Sequence, residues 1–67
     1  MTHAKIGRRR VPRQGGRFVT EYYITVPGGY IDQSGNLTTD VTQARGFVYK
    51  NVAKFVAEEH GYTVDSE

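Results

Sequence analysis

Residues 17–26 constrain the fold more than any other segment, because their side chains divide between two alternating faces. β-branched and aromatic residues dominate this run, which is typical of a β-strand. We expect the uncharged face to point to the core, and its residues are Phe18, Thr20, Tyr22, Ile24 and Val26. Next, Pro27 fixes φ at about −65° and Gly28 accepts a positive φ, which predicts a tight turn. A second strand over residues 29–33 completes the hairpin.

The residues after this hairpin predict another turn, a capped helical turn and a longer helix. Ser34-Gly35-Asn36 forms the turn, and residues 37–39 extend the sheet. Asp40 is expected to cap one helical turn over residues 41–45, because its carboxylate can accept from backbone N–H groups. Three elements follow: a third strand at Phe47 and Val48, a helix from Lys50 to His60 that ends at Gly61, and a strand-like segment over 62–64.

Together these elements predict the fold class and the division of the chain. The fold class is α+β: a small antiparallel sheet of three strands, or four if residues 62–64 join it, packed by one C-terminal helix. This single domain spans residues 17–67. Residues 1–16 carry too little apolar surface to offset the entropy of ordering, so they are predicted to form a flexible basic arm.

The positive charge of the chain is concentrated at its start. The first 17 residues contain six of the nine Lys and Arg residues and none of the seven Asp and Glu residues. A basic arm on a mildly acidic body indicates contact with nucleic acid or another polyanion. The alternative is a solvated tail without a ligand. The candidate binding residues here are Arg8, Arg9, Arg10, Arg13 and Arg17.

The sequence offers poor material for catalysis or metal binding. It has no cysteine, which excludes disulfides, thiolate-bound zinc and cysteine catalysis. His3 and His60 lie far apart in the sequence, and the side chains of Glu58 and Glu59 diverge by about 100° on a helix. We therefore predict a protein that is not an enzyme and that uses no metal or cofactor.

Membrane and export signals are not recognisable in the sequence. No apolar stretch reaches the roughly 18 to 20 residues that span a bilayer. The basic N-terminus lacks the apolar region of a secretory signal. We therefore expect a cytoplasmic protein with no membrane partner.

The aromatic content indicates a binding surface. Five tyrosines and three phenylalanines in 67 residues exceed what a core of this size needs, and tyrosine is enriched at interfaces. Tyr23 and Tyr30 lie on or beside the hairpin and are the candidates for protein contact. The alternative is that one completes the core and the other is an ordinary surface tyrosine. A small sheet also has open edges, which a homodimer would cover.

A characteristic order of short motifs covers residues 22–62. The motifs are Tyr22-Tyr23-Ile24, Gly29-Tyr30-Ile31, Ser34-Gly35-Asn36-Leu37-Thr38, Asp40 to Ala44, Phe47, Val52-Ala53 and Phe55-Val56-Ala57 before Gly61. This order resembles many short phage and prophage proteins, which pair a β-hairpin with an Asp-x-x-x-Ala-x-x-Phe segment and one helix. That group includes anti-CRISPR proteins and other small inhibitors of host machinery. The resemblance implies a host protein or nucleoprotein complex as the partner.

A second order of residues involves the basic arm. Gly7-Arg8-Arg9-Arg10, then Tyr23-Ile24, Gly29-Tyr30 and a closing helix, is similar in order to the arm-type DNA-binding domain of phage integrases. The resemblance implies that the three arginines reach the minor groove while the sheet lies in the major groove. The outer face of the predicted sheet departs from this pattern, because it carries Glu21 and Asp32 where DNA readers are basic.

These observations support a leading hypothesis and two alternatives for function. The leading hypothesis is a non-catalytic phage-type binding protein that inhibits a host complex, for example a CRISPR defence complex, by occupying its surface. The arginine-rich arm, Tyr23 and Tyr30 would form the contact. The first alternative is a DNA-binding protein of a mobile element that uses its basic arm. The second is a homodimeric structural protein.

Overall fold

In the computed structural model, which describes residues 2–64, two long antiparallel strands form the centre of a five-stranded sheet. β1 spans His3–Arg13 and β2 spans Arg17–Val26. A short 3-10 turn over Gln14–Gly16 joins them. Gly15 and Gly16 take φ angles of 81° and 73° there, which glycine adopts without steric cost.

Three short strands complete the sheet. β3 spans Gly29–Ile31, β4 spans Leu37–Thr38 and β5 spans Thr63–Val64. The order across the sheet is β4-β3-β2-β1-β5, and β5 runs parallel to β1 while the other pairs are antiparallel. The α+β class is confirmed, but the sheet is mixed and has five strands, because residues 63–64 return beside the new strand β1.

Residues 3–13 correct the prediction of a flexible arm. They form β1, which pairs with β2 from Lys5 opposite Thr25 to Arg13 opposite Arg17. The prediction was wrong here because it counted apolar residues only. Ladder pairing to β2 satisfies the backbone groups along one edge of β1 whatever the side chains. The few apolar residues are also well placed: Ala4 is buried and Ile6 packs against the core.

The core lies between the sheet and helix α1, which spans Lys50–Glu59 and confirms the predicted helix. Ala53 and Ala57 are fully buried, so the helix backbone approaches the sheet closely. The buried cluster consists of Ala4, Ile24, Val26, Ile31, Phe47, Ala53 and Ala57. The predicted core face of β2 is confirmed from Tyr22 onward, where the helix covers it.

The loop between β4 and α1 contains the predicted cap. Asp40 Oδ1 accepts a hydrogen bond from the Thr42 backbone N–H at 2.9 Å and caps a 3-10 turn over Val41–Gln43. The predicted third strand at Phe47 is reduced to a single bridge, in which Phe47 and Tyr22 exchange two backbone hydrogen bonds of 2.8 Å.

None of the helices in residues 2–64 is long and apolar enough to cross a membrane. The last residues of the predicted 17–67 domain and the first residue of the predicted arm lie outside the described residues.

Candidate nucleic-acid interface

The far halves of β1 and β2 form a two-stranded ribbon that extends past the helix. We call Gly7–Arg13 and Arg17–Tyr23, with the turn between them, the ribbon. The molecule measures 42 × 23 × 17 Å. On the helix side of the ribbon, Arg10, Pro12, Phe18 and Thr20 are all exposed, so α1 does not cover them. Paired residues of antiparallel strands lie on the same face, so the register divides the ribbon into two surfaces.

The first surface, the open face, is on the helix side and consists of Arg8, Arg10, Phe18 and Tyr22 together with Lys50. Arg8 is opposite Tyr22 in the register, and the two line a shallow depression of about 360 Å³ with Ile6 and Lys50. The Arg10 guanidinium carbon lies 4.9 Å from the centroid of the Phe18 ring. Phe18 is 58% exposed.

The cations of the open face have no carboxylate partner among residues 2–64. Among the described residues of β1 and β2, no carboxylate lies on this face. No ion pair in residues 2–64 engages Arg8, Arg10 or Lys50. Helix α1 begins at Lys50 with no acidic residue in its first turn, and the helix dipole adds positive charge there.

The second surface, the opposite face, contains arginines that are engaged within the molecule. Glu21 Oε1 lies 3.5 Å from Arg9 Nη2, and Glu21 Oε2 lies 2.6 Å from Arg13 Nη2. Arg9 also donates to the backbone carbonyls of Val41 and Ala44, the second at 2.8 Å. Arg9 therefore links the loop that carries Asp40 to the ribbon.

Tyr23 and Tyr30 also pack on the opposite face. Their ring centroids are 5.6 Å apart in an edge-to-face arrangement with an interplanar angle of 67°. The Tyr23 ring covers Gly7, where a Cβ would lie 2.6 Å from Tyr23 Cε2. The Arg9 guanidinium carbon is 5.6 Å from the Tyr23 ring centroid. Both tyrosines are half-buried, so much of their surface is already used in the fold.

The structure separates the candidate residues that the sequence analysis grouped together. Arg8 and Arg10 lie on the open face, whereas Arg9, Arg13, Arg17 and Tyr23 lie on the opposite face and Tyr30 beside it. Phe18 and Lys50 were not predicted as candidates. Gly15 and Gly16 could have indicated where Phe18 lies, because a hairpin that turns at these two glycines brings Phe18 opposite Pro12.

Hydrogen bonds from the Thr42 hydroxyl and then from its backbone N–H lower the pKa of Asp40, which is the signature of a cap. Within residues 2–64, no group of three or more His, Asp or Glu residues is placed to hold a metal ion.

Comparisons with protein-family models, with curated proteins and with solved structures gave no match to this chain. Its function is therefore inferred from the geometry and charge of the chain itself.

Proposed function

We propose that this chain is a non-catalytic binding protein that holds the phosphodiester backbone of a nucleic acid on the open face of its ribbon. The observation that carries the proposal is the set of exposed cations on that face, Arg8, Arg10 and Lys50, which form no ion pair within the described part of the chain. This corresponds to the DNA-binding alternative of the sequence analysis, with a folded ribbon in place of a flexible arm.

Phosphate is the ligand that this arrangement suits best. Unpaired guanidinium groups bind phosphate through charge-assisted hydrogen bonds, and no carboxylate of residues 2–64 occupies those of Arg8 and Arg10. A two-stranded ribbon is narrow enough to enter the major groove of a duplex. The exposed aromatic ring of Phe18 offers a stacking surface for a base of a single strand. Duplex and single-stranded ligands are therefore both to be tested.

The salt dependence of binding is the direct test. If three cations neutralise three phosphates, raising the salt from about 50 to 200 mM weakens duplex binding by about 40-fold and single-strand binding by about 20-fold. Fluorescence anisotropy with a labelled duplex and a labelled single strand of the same sequence measures both slopes. A failure to bind either ligand at the lower salt concentration would overturn the proposal.

A matched pair of variants locates the binding surface. Arg8→Gln with Arg10→Gln removes two charges from the open face, and Lys5→Gln with Arg17→Gln removes two exposed charges from the opposite face. The overall change in net charge is the same. We expect the first variant to lose about tenfold more affinity than the second, since each phosphate contact contributes separately. Equal losses would show that binding follows net charge and not the open face.

Inhibition of a host protein complex remains a second proposal, and exposed apolar side chains favour it. Around the start of α1, Val48, Tyr49, Val52 and Phe55 are between 42% and 67% exposed. Exposed apolar groups that cluster often mark protein contacts.

If these residues form the contact, Phe55→Ser should abolish capture of a host protein that the wild-type chain binds in a nuclease-treated bacterial lysate. Leu37→Ser is the control, because Leu37 is similarly exposed on β4. Light scattering of the wild-type and Phe55→Ser proteins tests whether a homodimer forms through the same residues.

A further inference from the structure

The outer edge of β1 is largely without a neighbouring strand. β2 pairs with the inner edge along the strand from Lys5 to Arg13. On the outer edge, β5 pairs only with His3 and Ala4. From Lys5 to Arg13, no strand in the described part of the chain lies beside that edge. Such an edge presents backbone donors and acceptors that a further strand can use.

One hydrogen bond fixes which residues present these groups. The Thr63 N–H donates to the Thr2 carbonyl at 2.9 Å, so the backbone groups of residue 2 point to the outer edge. Backbone direction alternates along a strand. The N–H and C=O groups of Ile6, Arg8 and Arg10 therefore point outward, whereas those of Gly7 and Arg9 point to β2.

We propose that this edge binds an extended, acidic segment of a partner protein as an added strand. In such an arrangement the partner's side chains on the open face lie next to Arg8 and Arg10. Asp or Glu at alternate positions would then form cross-strand pairs of opposite charge. The proposal uses the backbone edge of β1, and it stands whether or not the open face binds phosphate.

Two other occupants fit this edge less well. A second copy of the chain, paired through the same edge, would place its arginines against Arg8, Arg9 and Arg10, and like charges across strands are destabilising. A phosphodiester backbone offers acceptors only, so the outward carbonyl groups of Ile6, Arg8 and Arg10 would have no donor. An extended peptide offers both donors and acceptors at the spacing of a strand.

Residue-specific amide exchange on the full chain tests the proposal. The probe is a capped octapeptide of alternating glutamate and valine, and the control replaces each glutamate by lysine. At saturating acidic peptide we expect exchange at Ile6, Arg8 and Arg10 to slow by at least about tenfold, as ladder hydrogen bonds form. The amides of Gly7 and Arg9 already face β2 and should change little. Equal effects of the lysine peptide, or no slowing at the outward amides, would overturn the proposal.

Two variants at position 10 separate the contribution of the backbone N–H group from that of the side-chain charge. Arg10→Gln removes the charge and keeps the outward N–H, whereas Arg10→Pro removes both, and proline is tolerated on a strand edge. We expect Arg10→Pro to bind the acidic peptide about tenfold more weakly than Arg10→Gln. Circular dichroism checks that both are folded. A peptide that is N-methylated at every residue has no ladder donors, so it should not slow exchange at the outward amides of the wild-type chain. If single-stranded DNA protects the outward amides and the peptide does not, the edge serves nucleic acid and the proposal is wrong.

Discussion

On one face of the ribbon Arg9 and Arg13 share the carboxylate of Glu21, whereas on the other face Arg8 and Arg10 have no carboxylate partner in residues 2–64. These arginines are neighbours in the sequence and identical in chemistry. Strand alternation assigns them to opposite faces. A basic run in a strand is therefore divided between two surfaces. Its total charge overstates the charge that either surface presents to a ligand.

The largest effect should follow from removing the guanidinium of Arg9. Arg9→Met keeps most of the aliphatic stem but loses the hydrogen bonds to Val41 and Ala44 and leaves Glu21 half satisfied. We expect a loss of about 2–3 kcal/mol in the free energy of unfolding, because hydrogen bonds from a charged group are strong and the abandoned carbonyls need new partners. Urea denaturation measures the loss. Arg8→Met is the matched control and should change stability by less than about 0.5 kcal/mol. Equal effects at the two positions would remove the contrast between the faces.

The second effect concerns packing on the opposite face. A methyl group added at Gly7 would collide with the Tyr23 ring, so Gly7→Ala should cost about 1–3 kcal/mol of stability. The cost should fall sharply when Tyr23→Ala is already present, because the ring that the methyl group meets is gone. A double-mutant cycle by thermal unfolding gives the coupling. Additive effects would mean that the ring moves aside freely.

A smaller effect is expected from Arg13. Its side chain is 54% exposed, although its ion pair with Glu21 is short. Solvent screening limits exposed ion pairs, so Arg13→Gln should cost at most about 1 kcal/mol. The measurement is urea denaturation at low and high salt, and the difference from wild type should shrink as salt rises. A loss as large as that of Arg9→Met would contradict the idea that carbonyl hydrogen bonds distinguish Arg9.

The smallest effect concerns the loop that Arg9 holds. The Thr42 hydroxyl and backbone N–H lower the pKa of Asp40 below its ordinary value of 3.8. Because the folded-state pKa is depressed, the stabilisation is present above the ordinary pKa and is lost as pH falls through the folded-state value. Asp40→Asn should lack this acid-dependent loss. Unfolding curves of the two proteins between about pH 5 and 2 test the difference. Identical pH profiles would show that the lowered pKa of Asp40 makes no contribution to the pH dependence of stability.

Elements that are encoded by residues close together in the chain could be predicted from the sequence. The pairing that forms the ribbon, and the contacts made on each of its faces, could not. The helix from Lys50, the Asp40 cap and the turn at Gly28 each follow from residues close together in the chain. The strand β1 depends on pairing with β2, which a composition of arginine and glycine does not reveal. The role of Arg9 depends on carbonyls more than thirty residues away, and no local pattern encodes such a contact.

The parallel pairing of β5 with the start of β1 has a consequence for the order of folding. β1 and β2 are joined by a three-residue turn, so their contacts are local and need little loop closure. The pairing of His3 with Thr63 encloses almost the whole described chain, and such distant contacts form slowly. We expect the ribbon to form first and β5 to join last, after α1 has closed the core. Until then the outer edge of β1 is open along its whole length, and a nascent chain has its longest free strand edge at this stage.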